Sequence, residues 1–318
     1  MSHLRGALDL GTNSIQLLVA RETEDGWHPV QEWAAVTRLG EDVQRTGVLL
    51  PAAVERTLAH VAHFFAEARA RFPGLMGAAA GTSALRDARN RDVFVAACEA
   101  RFGFVPRVFG GREEAETTFL GVAGGAPPGQ PLLTLDVGGG STEISAGQPG
   151  QCAFAESLDL GCVRFGEQFG LFGASSQEDR AVAREAAREV LVPVLTAALD
   201  RVVPEDVQVR VSGGTATTLA AAVLALTAYD YTRVEGWETT TVEVNRWAER
   251  LASMTVSERA SLPCVDEGRA LVLPAGLLVL HEALDCLGAD RLRVTTRGLR
   301  AGMLVRLSQG TLPESWQL

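Results

Sequence analysis

Residues 7–20 read ALDLGTNSIQLLVA, and residues 132–145 read LLTLDVGGGSTEIS. In each, an aspartate near the end of an apolar run precedes a glycine turn and a second apolar run. Aligned on the aspartates, Asp9-Leu10-Gly11-Thr12-Asn13-Ser14 and Asp136-Val137-Gly138-Gly139-Gly140-Ser141 share one pattern: Asp, apolar, Gly, two variable positions, Ser. A continuous apolar run such as residues 15–20 fits a strand buried on both faces. Both copies therefore predict strand, tight turn, strand. Two copies this far apart mark duplicated domains, not a solenoid. Two similar α/β lobes facing each other would set the two turns on opposite walls of one cleft.

Outward from these turns, residues 51–72 carry Val54, Leu58, Val61 and Phe65 on one stripe, the mark of a long amphipathic helix. Strands are expected over 77–81, 105–109, 207–211 and 291–295. Helices are expected over 92–102, 111–122, 178–202, 216–226, 242–254, 267–287 and 298–307. The stretch GGAPPGQP at 124–131 is the best domain boundary. It divides the chain into lobes of residues 1–125 and 126–318, and leaves open whether the closing helix packs on the second lobe or crosses back to the first.

The 318 residues suffice for two cores, and 47% of them are hydrophobic. Net charge is −10 with a pI near 5.1. An acidic surface does not attract nucleic acid or an anionic membrane, so a polyanionic ligand would need a local basic pocket. No lysine occurs; all 29 basic residues are arginine. That excludes a Walker A lysine, a Schiff-base lysine and a lysine general base. Phosphate chemistry must fall to arginine, backbone N–H groups and metal. The five cysteines are odd in number, widely spaced and without C-x-x-C, which predicts free thiols in a reducing compartment. His60 and His63 stand one helical turn apart and read as ordinary helix surface. The N-terminus runs into a strand pattern without a signal peptide. The apolar stretches at 216–228 and 270–280 fall short of the about 20 residues of a membrane span. A soluble, cytoplasmic chain with neither nucleic-acid nor membrane partners is expected.

A glycine turn between strands points several backbone N–H groups one way, a nest that binds phosphate oxygens without cationic side chains. Asp9 and Asp136, one residue before a turn, can hold Mg²⁺ directly or through water. A third turn, Gly213-Gly214-Thr215 within VRVSGGTATT (209–218), leads into a helix whose N-terminus adds partial positive charge. GTSALRDARN (81–90) offers Arg86 and Arg89, with Arg91 next, and arginine's planar fork suits phosphate. The alternative there is a solvated helix face paired with Asp87 and Asp92. Gly110-Gly111-Arg112-Glu113-Glu114-Ala115-Glu116 opens a helix with acids, which a helix N-terminus favours without any function. Its position before the lobe boundary would let side chains reach the cleft. Glu143, two residues beyond Ser141, could hold metal or water, or be a plain strand-end residue.

Together these segments resemble the exopolyphosphatase and guanosine pentaphosphate phosphatase family. The resemblance is carried by ALDLGTNSIQLLVA (7–20), AAAGTSALRDARNRDVF (78–94), VFGGREEAETTFLGV (108–122), LLTLDVGGGSTEIS (132–145), SLDLGCVRF (157–165), VSGGTATTLAA (211–221) and RVTTRGLRAGML (293–304). It implies two ribonuclease H-like lobes of the actin, chaperone and sugar-kinase superfamily, with Mg²⁺ or Mn²⁺ and phosphate in the cleft. It implies Glu114 as the general base for water and Glu143 as a ligand of metal or water beside Asp136. Arg86 is the arginine of the A-L-R motif. The turns around Asp9, Gly11, Thr12, Asn13 and Ser14, around Gly138, Gly139, Gly140 and Ser141, and at Gly213, Gly214 and Thr215 would hold phosphates. Glu116 departs from the pattern: many relatives carry arginine there, so a positive charge near the site is lost. A short form without the extra C-terminal helical domain of longer relatives is implied.

The expected activity is hydrolysis of terminal phosphate from inorganic polyphosphate, with guanosine pentaphosphate as the competing substrate. No nucleophilic Cys or His stands in the turns, which argues against a covalent phospho-enzyme. An ATP-dependent kinase of the same fold and a weakly catalytic nucleotide sensor are the other readings. A homodimer is compatible with such folds, although no sequence segment identifies itself as an interface.

Overall fold

In the computed structural model the described residues are 3–24, 26–202 and 207–318; Met1 and Ser2, part of the N-terminal reading, lie outside them. The chain forms two sheets of matching plan. In the first, β1 (Leu4–Leu10), β2 (Ser14–Thr23) and β3 (Gly26–Val36) make an antiparallel meander. β4 (Met76–Gly81) joins β1 in parallel, and β5 (Arg107–Val108) joins β4 in parallel. In the second, β6 (Leu132–Val137), β7 (Thr142–Gln148) and β8 (Gln151–Leu158) repeat the meander, and β9 (Gln208–Ser212) lies parallel to β6. β10 (Glu238–Thr240) and β11 (Arg291–Val294) complete it, β11 parallel to β9 and β10 antiparallel at the edge. The duplication extends to register: the first hairpin closes at Leu10 opposite Ile15, the second at Val137 opposite Thr142. This is the two-lobed ribonuclease H-like architecture.

The helices of the first half are α1 (Val43–Thr46), α2 (Pro51–Arg71), α3 (Ser83–Asp87), α4 (Arg91–Phe102) and α5 (Gly111–Ala123). Those of the second are α6 (Cys162–Phe169), α7 (Gln177–Leu199), α8 (Gly213–Val223), α9 (Tyr231–Val234), α10 (Thr241–Ala252), α11 (Val256–Ala260), α12 (Glu267–Cys286) and α13 (Leu299–Ser308). Leu8, Leu10, Ile15 and Leu17 pack with Leu58, Val61 and Phe65 of α2 and Phe94 of α4, one face of the first sheet. Alternation sends Ala7, Leu18, Ala78 and Ala80 to the other face, where Leu299, Met303 and Leu304 of α13 cover them. In the second lobe, α7, α8, α10 and α12 share one core with β6, β7 and β9.

The lobes exchange their covering helices. α5, which precedes the boundary, packs on β7 and β8 of the second sheet, whereas α13 packs on β1 of the first and on α5. Beyond α13, β12 (Trp316–Gln317) pairs antiparallel with β4. Residues 299–318 thus structurally complete the first lobe. The crossing needs glycine: a β-carbon on Gly121 would strike the Gly298 carbonyl, and one on Gly302 the Thr117 carbonyl.

Several elements depart from the sequence expectation. β3, GWHPVQEWAAV, and β8, QCAFAESL, are edge strands only partly buried. Pro29 and the scattered charges of β3 hide its alternation, as edge strands commonly do. The sequence does not mark α6, which is short and carries glycine within it. The helix expected from 216 begins at Gly213, so the third glycine turn is the first turn of α8.

Candidate active site

The two hairpin turns meet. Gly139 packs so closely that a β-carbon there would lie 2.9 Å from both the Asn13 nitrogen and Thr12 Cβ. Both turns are tightened alike: the Gly138 N–H donates to the Ser141 carbonyl at 2.9 Å, and a β-carbon on Gly11 would lie 2.7 Å from the Ser14 carbonyl. Beside them opens a cleft of ≈ 400 Å³, lined by Asp9, Gly11, Thr12, Asn13 and Ser14 from one lobe and Asp136, Gly138, Gly139, Gly140, Ser141 and Glu143 from the other. Glu114 from α5 and Gly213 and Gly214 from α8 line it too.

Strand pairing brings the carboxylates together. Asp136 on β6 stands opposite Glu143 on β7 and Ser212 on β9, and directly opposed residues share a sheet face. The Ser212 hydroxyl donates to Asp136 Oδ2 at 2.6 Å, and the Ser157 hydroxyl donates to Glu143 Oε1 at 2.8 Å. Glu114, 6% exposed, accepts from Arg86 Nη1 at 2.8 Å through Oε2. Burial pushes Asp9 up to about 7, with Arg300 opposing it and Asp136 and Glu143 adding to it. Burial likewise pushes Glu114 up to about 7 against the pull of Arg86. Asp136 is raised by burial to about 6, partly offset by Ser212. Glu143 is raised well above the carboxylate range by burial, then by Glu114 and Asp136. Four acids crowded out of water favour protons or cations as company.

Three side chains of this cleft have buried polar atoms without a hydrogen bond: Asp9 at Oδ1, Asn13 at both amide atoms and Arg300 at Nη1. Orphaned buried acceptors amid hard oxygen donors fit a divalent cation and phosphate. Among the described residues no three acidic, His or Cys side chains gather around one point. A cation here would therefore take one or two carboxylates and complete its shell with water and phosphate oxygens, as Mg²⁺ commonly does. Burial raises the pKa of every thiol. All five cysteines are free, and burial pushes Cys162, the nearest to the turns, up to about 11.

Side-chain direction corrects several expectations. Arg86 is not among the residues lining the cleft: its Nη1 donates to Glu114 and to the Phe109 carbonyl, so it positions the acid from behind. Thr215 turns its hydroxyl onto the Val137 carbonyl at 3.0 Å, and Thr217 and Thr218 line the cleft instead. Glu116 faces outward and pairs with Arg112 at 2.8 Å, so its substitution for arginine alters the helix exterior and leaves the cleft lining unchanged. Arg89 bonds the Thr46 carbonyl and Arg91 lies beside Asp92, both away from the cleft.

The sequence reading missed the cleft's own arginines. Arg269, at the start of α12, reaches across to the Ser14 hydroxyl at 3.2 Å. Arg300, on α13, pairs through Nη1 with Glu32 at 3.6 Å, and that buried nitrogen makes no hydrogen bond. Both line the cleft and supply the local positive field that the acidic chain otherwise lacks. Arg164 of α6 ties the lobes: it donates to the Gly140 carbonyl at 2.7 Å and the Ser83 hydroxyl at 3.2 Å, and pairs with Asp87 and Gln44. Arg164 and Arg300 sit in the quoted segments SLDLGCVRF and RVTTRGLRAGML, the only sequence signal that could have found them; Arg269 has none.

A protein-family model described as the Ppx/GppA phosphatase family matches residues 18–310. A Mycobacterium tuberculosis (strain CDC 1551 / Oshkosh) relative named exopolyphosphatase 2 is 34% identical over 324 residues, covering 95% of this chain and 98% of that one. A crystal structure of an exopolyphosphatase-like protein is 30% identical with a TM-score of 0.85, covering 96% of this chain and 98% of the other. The crystal structure of the Aquifex aeolicus Ppx/GppA family member is 26% identical with a TM-score of 0.78, covering 98% and 100%.

Proposed function

The chain belongs to the Ppx/GppA phosphatase family, and from that premise we propose that it is an exopolyphosphatase, releasing terminal phosphate from inorganic polyphosphate by direct attack of water in the interlobe cleft. The observation that carries the reading is the convergence of Glu114, the unpartnered Asp9 and Asn13 atoms, and two arginines on one cleft.

Glu114 orients and deprotonates the attacking water. Its raised pKa suits a general base working near neutrality, and Arg86 holds its carboxylate in place. Backbone N–H groups of the three glycine turns, with Asn13, Arg269 and Arg300, hold the phosphates. Phosphoryl transfer asks mainly for positioning and charge stabilisation, which such a cleft supplies. Asp136 and Glu143 would hold Mg²⁺ or Mn²⁺ within the field of Asp9, and the ion would neutralise phosphate charge.

The direct test is phosphate release with Mg²⁺ from long polyphosphate, short polyphosphate, guanosine pentaphosphate and ATP at equal terminal groups. Preference for polyphosphate is expected. Guanosine pentaphosphate is the competitor because Tyr229 sets an aromatic ring on the cleft wall. Release needs no acceptor, which separates this reading from a kinase. Silence on all four from folded protein overturns it.

Cation binding has a separate readout. The folded pKa values of Asp9 and Asp136 lie above their ordinary 3.8. Their protonated forms therefore contribute stability in full below the unfolded pKa, and this is lost as pH rises through about 6 to 7. A cation replaces the missing protons. The Tm gain from Mg²⁺ should therefore be larger at about pH 8 than at about pH 5. Equal gains at both, or none, would remove the cation from this group of acids.

A further inference from the structure

The sheet face that carries the catalytic acids continues into a row of arginines. Two residues before Ser212 on β9 stands Arg210, on the same face and about 7 Å along the strand. Its partner on β11 is Arg293, in register and so on the same face. Arg297, in the turn after β11, lies beside Arg210, and the Arg293 guanidinium lies against Gly236, where a β-carbon would be 3.0 Å from its Nη2. A β-carbon on Gly125 would lie 3.6 Å from Arg210 Nη1, 3.6 Å from Arg297 Cδ and 3.7 Å from Arg297 Nη1. The two guanidinium groups thus flank one point on the glycine linker between the lobes. Thr295, Thr296 and Gly298 line the cleft while Arg297, between them, does not.

The compensation around this cluster is thin. Arg210 is 3% exposed, yet its partners are neutral: Gln208 Oε1 at 2.7 Å and the Val122 carbonyl at 3.2 Å. Its pKa is lowered by burial first and by the charges of Arg293 and Arg297, with Glu235 opposing. Glu235 is already engaged by Thr295 and by the Thr296 N–H and hydroxyl. Glu238 lies 4.0 Å from Arg293. Among the described residues, no carboxylate forms an ion pair with Arg210 or Arg297. Like charges brought together against a buried guanidinium cost stability unless an anion joins them.

We propose that Arg210, Arg293 and Arg297 form a second phosphoryl-oxyanion site, behind the cleft wall at the Gly124–Gly125 linker and distinct from the catalytic turns. Its ligand is a phosphoryl group from one of two sources: a distal segment of the polyphosphate chain, or released orthophosphate. The site rests on the phosphatase reading only for which source fills it; the anion chemistry stands apart from turnover.

The test uses the full chain with Arg293→Ser and Arg297→Ser combined, leaving the buried Arg210 in place, and melting curves to confirm folding. Calorimetry without divalent cation, using orthophosphate and tripolyphosphate as probes, should show loss of one binding event from the double variant. If the chain segment is the ligand, KM for long polyphosphate rises about tenfold with kcat and the tripolyphosphate KM unchanged. If orthophosphate is the ligand, product inhibition weakens by a similar factor and both KM values hold. Unchanged calorimetry together with unchanged kinetics overturns the site. A wild-type protein that releases no phosphate from any substrate, with one binding event still lost in the double variant, would instead sink the phosphatase reading and leave this site standing.

Discussion

Replacing Glu114 by Gln is expected to lower kcat by about 10² to 10⁴-fold, the usual share of a general base, with little change in substrate affinity. The substitution keeps shape and removes only the ability to take a proton. Glu114 is placed for that task by two elements distant in sequence. α5 carries it, and Arg86, 28 residues away, donates to Oε2 and leaves the other oxygen available. Arg86 meanwhile bonds the Phe109 carbonyl, which anchors the pair to the loop that starts α5. Amide nitrogen at that oxygen would still accommodate a water but could not accept its proton. Steady-state phosphate release together with calorimetric substrate binding reads both halves of the claim. Turnover near the wild-type value would remove Glu114 from the base role. Wild-type activity should also fall on the acid side, as the carboxyl, raised to about 7, takes up a proton.

The second large effect is expected from Gly213→Ala. Gly213 has φ 87°, in the left-handed region where alanine is strained by about 1 to 2 kcal/mol. More seriously, its β-carbon would collide with Asp136 Oδ1. The acid cannot retreat, because Oδ2 is held by Ser212 and the strand by β7 and β9. Displacing a positioned acid by about 1 Å typically costs about 10²-fold in rate. The expected result is that loss in kcat/KM, accompanied by loss of the Mg²⁺-dependent Tm gain. Gly103→Ala isolates the strain: Gly103 has φ 73° with nothing within 4 Å of a β-carbon. That variant should lose stability modestly and keep its activity. If Gly213→Ala behaves like Gly103→Ala, Asp136 does not depend on the bare backbone beside it.

Much of the fold was legible in the sequence because its evidence is local. The hairpins at Asp9 and Asp136 are written as apolar run, glycine turn, apolar run, and the structure closes them in the same register. The acids legible at those strand ends, with Glu114 and Glu143, all line the cleft. What failed was side-chain direction. Residue type and motif assign Arg86 and Thr215 to phosphate, whereas Arg86 Nη1 and the Thr215 hydroxyl bond other partners. Glu116 by residue type alone weakens the field at the site, but i,i+4 pairing with Arg112 takes it out of the site. β3 and β8 escaped notice because an edge strand buries too little to show its period.

By itself, the sequence determined the duplicated α/β lobes, the glycine turns and the acids at their strand ends, because backbone conformation and strand burial depend on neighbours a few residues away. Only the tertiary structure decided that α5 and α13 trade lobes, that Arg86 serves Glu114, and that Arg269 crosses 255 residues of chain to reach Ser14. Those choices depend on which distant surfaces pack together, and so on the close approach that Gly121 and Gly302 permit, which leaves no periodic trace in the chain.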